Sequence, residues 1–294
     1  MNAVALLIGL GPVLGWGLYP TIASLFGGKP TNQIYGSTLG TLIFAAIFLL
    51  ISGNSIPTGM DFALALLSGA GWAFGQIMSF KAFELVGSSR VMPITTALQL
   101  IVTALWGVFA LGNWHSETHR IIGFIALLVI IIGATMTAWQ ENKDTKSSAD
   151  LKKAIGLLVI GVIGYWGYSA APQASSHLDG MHAFFPQALG MFLVAVVYCL
   201  FHVKNNNVFA TKSSYLQIIS GFFFGFAALT YLISAEPKMN GLATGFVLSQ
   251  TSVVLATLTS IYFLHQNKTK KEMVVTIIGL VIIILAAAVT AFLN

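Results

Sequence analysis

A chain of 294 residues, 56% of them hydrophobic and only 8% charged, leaves no room for a water-soluble domain of useful size. Its net charge of +5 does not point to nucleic acid, because lysines beside apolar stretches anchor and orient membrane helices. The one cysteine, Cys199, cannot close an intrachain disulfide.

Apolar stretches follow one another in chain order: Ala3–Phe26, Ile34–Ile51, Phe62–Phe80, Val91–Leu111, Ile121–Trp139, Ala154–Ala171, Ala183–Phe201, Leu216–Ile233, Leu242–Leu264 and Met273–Leu293. Each is close to the roughly 20 residues that cross about 30 Å of hydrocarbon at helical rise. Lipid offers no partner to a backbone N–H or C=O, so segments of this length must be helices. The expected fold is an all-α integral membrane protein with ten transmembrane helices. The N-terminus lacks a basic region and a small-residue cleavage site, so it reads as the first span rather than a removable signal.

Orientation follows from Lys and Arg. The gaps after the odd-numbered helices hold twelve: Lys29, Lys81, Arg90, Lys143, Lys146, Lys152, Lys153, Lys204, Lys212, Lys268, Lys270 and Lys271. The opposite side holds Arg120 and Lys238. That imbalance places both termini outside and the Gln140–Lys153 connection in the cytoplasm.

The two halves of the chain carry the same landmarks in the same order. Trp16-Gly17 falls on Trp166-Gly167 and Gly40 on Gly190, at an offset of 150. Ser68-Gly69 matches Ser220-Gly221 and Glu84 matches Glu236 at 152, and Gln99 matches Gln250 at 151. Residues 1–140 and 153–294 thus read as two five-helix repeats joined by a cytoplasmic loop, 141–152. An odd number of spans makes the copies inverted relative to each other, a construction that gives secondary transporters two mirror-related states.

The segments GWGLYP, FGGKPTNQ, LLSGAGWAFGQ, KAFELVGSSRVMPITTALQL, YWGYSAAPQ and GLATGFVLSQTSVVLATL, in that order, resemble the bacterial glucose/ribose uptake proteins of the drug/metabolite transporter superfamily. The resemblance covers essentially the whole chain. It implies ten helices in two repeats and inward transport of a monosaccharide, by proton coupling or by facilitated diffusion, and leaves open which sugar.

A site for an uncharged sugar needs amides and hydroxyls for its rim and an aromatic face for its C–H surfaces. Glutamines inside spans should face the bundle, because an amide in lipid is left unsatisfied. These are Gln76, Gln99, Gln187 and Gln250, with Gln173 near the end of the sixth helix. Thr95, Gln99, Thr103 and Trp106 form one helical stripe. Trp16 and Trp166 are the aromatic candidates, with Tyr19 and Tyr168 close by. The competing reading is that such residues are interhelical packing glue, each worth about 1 kcal/mol. Glycine pairs such as Gly36/Gly40, Gly71/Gly75 and Gly221/Gly225 should let helix backbones approach.

No acid lies within the middle of a span, and the first helix has none, which argues against a cationic substrate. Glu84 and Glu236 are the nearest candidates for proton coupling, with helix-end ion pairs as the alternative. An enzyme finds no support. WHSETH lacks the acid position of a zinc helix, no GxSxG appears, and FGGKPT has Pro30 where a phosphate loop needs Ser or Thr. No cofactor or metal is implied. A membrane-bound sugar sensor or an exporter of another small metabolite remains the alternative to uptake.

Overall fold

The structure is a computed structural model and describes residues 3–110, 114, 116–141, 145–175, 178–234, 239 and 249–293. Ten α-helices run through them: α1 (Ala3–Leu25), α2 (Pro30–Ser52), α3 (Gly59–Val86), α4 (Ser88–Ala110), α5 (Glu117–Ala138), α6 (Thr145–Ala170), α7 (Gly180–His202), α8 (Lys212–Ser234), α9 (Ser252–Phe263) and α10 (Lys270–Phe292). Nine are long and apolar enough to cross a bilayer, and the described residues contain no strand. The protein is a multi-pass helical membrane protein.

Several helices begin before their apolar stretch does. Pro30 occupies the first helical position of α2, where its missing N–H costs nothing, and the Asn32 side chain accepts from the Lys29 N–H at 2.9 Å. The helix α6 starts at Thr145, so most of the expected connecting loop 141–152 is its first two turns. A run of Ala, Asp, Leu and Lys is good helix material in water. The expected ninth span, Leu242–Leu264, is described only from Ser249 onward; a turn at Thr251 separates Ser249 and Gln250 from α9.

Lipid-facing surfaces are as apolar as the core. Ile121, Ile125, Leu128 and Ile132 of α5 and Ile277, Val281 and Leu285 of α10 are exposed, as befits a protein whose solvent is hydrocarbon. Close packing therefore comes from small residues. A Cβ on Gly69 would fall on the Gln187 carbonyl, one on Gly190 on that of Leu66, one on Gly40 on that of Ile218 and one on Gly221 on that of Ser37. These contacts weld α3 to α7 and α2 to α8.

The main packing partners form a regular pattern. The helix α1 packs on α8 and α9, and α6 on α3 and α4; α2 packs on α8, and α7 on α3. The pairs α2–α7, α4–α9 and α5–α10 also touch. Exchanging each helix for the one five places along maps these pairs onto one another; the α4–α5 contact is an exception, with no α9–α10 contact of similar extent among the described residues.

Candidate functional site

Helices α1, α3, α4, α6 and α8, with residues 249–252, enclose a cavity of about 190 Å³. That is room for one molecule on the order of ten heavy atoms. Its floor is aromatic. Trp72 and Phe224 pack with their rings tilted by 42° and centroids 4.2 Å apart, Tyr19 lies 5.5 Å from Phe224, and Trp16 lies 5.5 Å from Tyr231. Against these rings α4 presents Thr95, Gln99 and Thr103, and the start of the ninth helical segment presents Ser249 and Gln250.

The polar groups have spare capacity. The Gln76 carbonyl accepts from the Tyr165 hydroxyl at 2.8 Å, and that hydroxyl lies 3.0 Å from Ser79 Oγ. Gln76 is thus held by one end of its amide. Gln99 Nε2 reaches only its own helix, donating to Thr95 Oγ1 at 3.3 Å, and Gln250 Nε2 donates to the adjacent Ser249 Oγ at 3.3 Å. Trp16 Nε1 is buried at the cavity wall without a hydrogen-bond partner. The Tyr19 hydroxyl points to Ser37, outside the cavity lining, and Ser37 is itself 2.8 Å from Ser220 Oγ. An unpaired buried donor is costly, which sets Trp16 Nε1 apart among the groups of the cavity wall.

Of the residues expected from sequence, Trp16, Gln76, Gln99 and Gln250 line the cavity. Gln187 does not. Its Nε2 donates to Ser68 Oγ at 3.1 Å and Ser68 donates to the Tyr168 carbonyl at 2.7 Å, an interhelical tie across α7, α3 and α6. Trp166 is outside the lining and packs edge-on against Trp106 at 5.1 Å, which draws Trp106 away from the polar stripe. Glu84 is exposed on the last turn of α3 in the field of Lys29 and Lys81. Glu236 lies outside the described residues. Among the described residues no carboxylate lines the cavity and no cluster of metal-ligating side chains occurs.

Sequence reasoning missed Phe224 and Tyr231, although its own offset points to them: 152 carries Trp72 to Phe224 and Ser79 to Tyr231. An offset of 150 likewise carries Tyr19 to Ser169, which also lines the cavity.

One end of the cavity is sealed by hydroxyls. Thr21 Oγ1 lies 2.7 Å from Thr259 Oγ1 and 3.0 Å from Ser260 Oγ, and Ser88 Oγ donates to Ser260 Oγ at 2.9 Å. The Gln266 side chain extends the seal, donating to Ser88 Oγ at 3.3 Å and accepting from the Ser89 N–H at 3.0 Å. These bonds close α1 and α9 onto α4 at the Lys-rich end. Below them Lys268 donates to the Thr137 carbonyl at 2.9 Å and to Thr276 Oγ1 at 2.8 Å. Burial lowers its pKa to about 8.

A chamber walled by aromatic rings and a few amides and hydroxyls, with no charged side chain among its described lining, inside a helical membrane bundle, defines a membrane transporter for a small neutral molecule. The chain belongs to the family described as "Sugar transport protein", whose sequence model matches residues 7–293. It is 64% identical over all 294 residues to "Putative ribose uptake protein RbsU" of Staphylococcus aureus (strain Mu50 / ATCC 700699), covering 100% of both chains. The protein of the same name from Staphylococcus epidermidis (strain ATCC 12228 / FDA PCI 1200) is also 64% identical over 100% of both chains. A solved crystal structure with a TM-score of 0.66 and 16% identity, covering 100% of both chains, shares the fold.

Proposed function

We propose that this protein takes up a monosaccharide, a pentose such as ribose or a hexose such as glucose, by alternating access to the central cavity. The observation that carries the reading is the set of amides, Gln76, Gln99 and Gln250, that line a chamber of sugar size with hydrogen-bonding capacity to spare. The names of the relatives favour ribose. The offset landmarks and the exchange of the main packing pairs support two inverted repeats, 1–140 and 153–294, as the moving parts. The positive-inside count puts the hydroxyl seal at the cytoplasmic end and both termini outside. A sensor or an exporter would present the same chamber, so the test is transport: purified protein in liposomes should admit labelled ribose or glucose down its gradient. Failure with every pentose and hexose in a competition panel would overturn the reading.

Opening toward the cytoplasm must break the seal. Each of its hydrogen bonds is worth about 1 kcal/mol, roughly fivefold in population. Ser260 makes two of these bonds, so Ser260→Ala is expected to raise labelling of a Thr95→Cys probe from the cytoplasmic side of oriented vesicles about 25-fold. An unchanged labelling rate would show that the seal does not control access.

Proton coupling falls to groups outside the chamber, because no carboxylate lines it among the described residues. If Glu84 carries the proton, Glu84→Gln abolishes the pH-driven component of uptake and leaves downhill exchange intact. A pH-driven component that survives the substitution removes Glu84 from the mechanism.

A further inference from the structure

The helices α5 and α6 are consecutive in sequence yet diverge: α5 packs on α4 and α10, and α6 on α3 and α4. Between them the back of α4 is left open to the bilayer. The resulting slot, about 290 Å³, is lined by Ile94, Leu98 and Ile101 of α4, Ala134 of α5, and Leu151 and Ile155 of α6. Its one hydroxyl, on Thr135, is already used, donating to the Ile131 carbonyl at 2.8 Å. Water has nothing to bind there, and the surrounding medium is hydrocarbon.

We propose that this slot holds an acyl chain of one anionic phospholipid. The charge at its mouth selects the headgroup. Trp139 lines the slot at the end where α5 leaves the membrane, a position suited to headgroup depth. Lys152, flanking the lining Leu151, and Lys153, turned to the far side of α6 from Leu151 and Ile155, are exposed and make no ion pair among the described residues. Of the nearby described acids, Glu141 is paired with Lys271 at 2.7 Å, and Asp150 lies three residues before Lys153 on the same side of α6, so neither faces Lys152. Arg90, one turn before Ile94, is engaged by the Gln140 side chain and lies in the field of the Glu272 carboxylate, which offsets its charge.

The placement matters because α4 is shared. Thr95, Gln99 and Thr103 face the central cavity, while Ile94, Leu98 and Ile101 face the slot. A chain seated in the slot braces the cavity wall from behind, in the part of the bundle where α4 must part from Ser260 for the seal to open.

The experiment is native mass spectrometry of the intact protein with phosphatidylglycerol or phosphatidylcholine of identical acyl chains. One phosphatidylglycerol should survive activation that strips other lipids, with roughly fivefold preference over phosphatidylcholine, Lys152 supplying the difference. Thr135→Phe and Ile155→Trp, both at exposed positions and so tolerated by the fold, should each abolish retention. Lys152→Gln should keep one retained lipid but lose the preference. Equal retention of the two lipids by the unmodified protein, or retention unchanged in both slot-filling variants, would overturn the proposal.

Discussion

Trp16→Phe is expected to make the empty protein more stable and sugar uptake worse, and the opposed signs are what give the experiment its force. The indole N–H of Trp16 is buried without a partner, a condition that costs about 1–3 kcal/mol. Phenylalanine keeps a ring against Phe224 and Tyr231 and removes the orphaned donor. A gain of about 1 kcal/mol should raise Tm by about 2–4 °C. In uptake the same substitution deletes one hydrogen bond to a sugar hydroxyl, so KM should rise about 5–10-fold. Trp106 supplies the control. Its Nε1 is also buried and unpaired, but its ring lies against Trp166 and outside the cavity lining. Trp106→Phe should therefore raise Tm with KM unchanged. If Trp16→Phe leaves KM unchanged as well, the Trp16 indole is packing and the sugar lies elsewhere.

How much of this was legible in the sequence depends on the physics each feature obeys. The spans were, because a backbone in lipid has so few alternatives that length and apolarity suffice. The glycine contacts were too: Gly36, Gly40, Gly71, Gly75 and Gly221 all lie against a neighbouring helix. Helix ends were not, since α3 continues to Val86 and α6 begins at Thr145 through residues that hydropathy reads as loop. Of the polar stripe on α4, Thr95, Gln99 and Thr103 line the cavity, while Trp106 packs against Trp166 outside it. Glutamines divided: Gln76, Gln99 and Gln250 line the chamber while Gln187 ties α7 to α3. Polarity inside a span says that an amide avoids lipid, and an interhelical bond satisfies that demand as well as a cavity does. The pseudo-symmetric partner of Gln187, at an offset of 150, is Ser37, and Ser37 makes the corresponding tie to Ser220. Comparing the halves residue by residue therefore distinguishes ties from site groups better than chemistry alone.

The ties also locate the substitution with the largest structural effect. Gly69→Val should prevent normal assembly, because its Cβ would occupy the Gln187 carbonyl and backbone cannot rotate away as a side chain can. The cost should reach the upper end for overpacking, about 3 kcal/mol, or about 6–12 °C in Tm. Gly40→Val, whose Cβ would meet the Ile218 carbonyl across α2 and α8, should cost a similar amount. Gly156→Ala is the contrast: nothing lies within 4 Å of the added carbon, and the helix gains from losing a glycine. Its Tm should hold or rise slightly. The measurement is thermal unfolding in detergent followed by size-exclusion chromatography. If Gly69→Val and Gly156→Ala melted together, the α3–α7 and α2–α8 contacts would not be the rigid seams of the bundle. Sliding of one half on the other would then have to begin there rather than at α4 and α9.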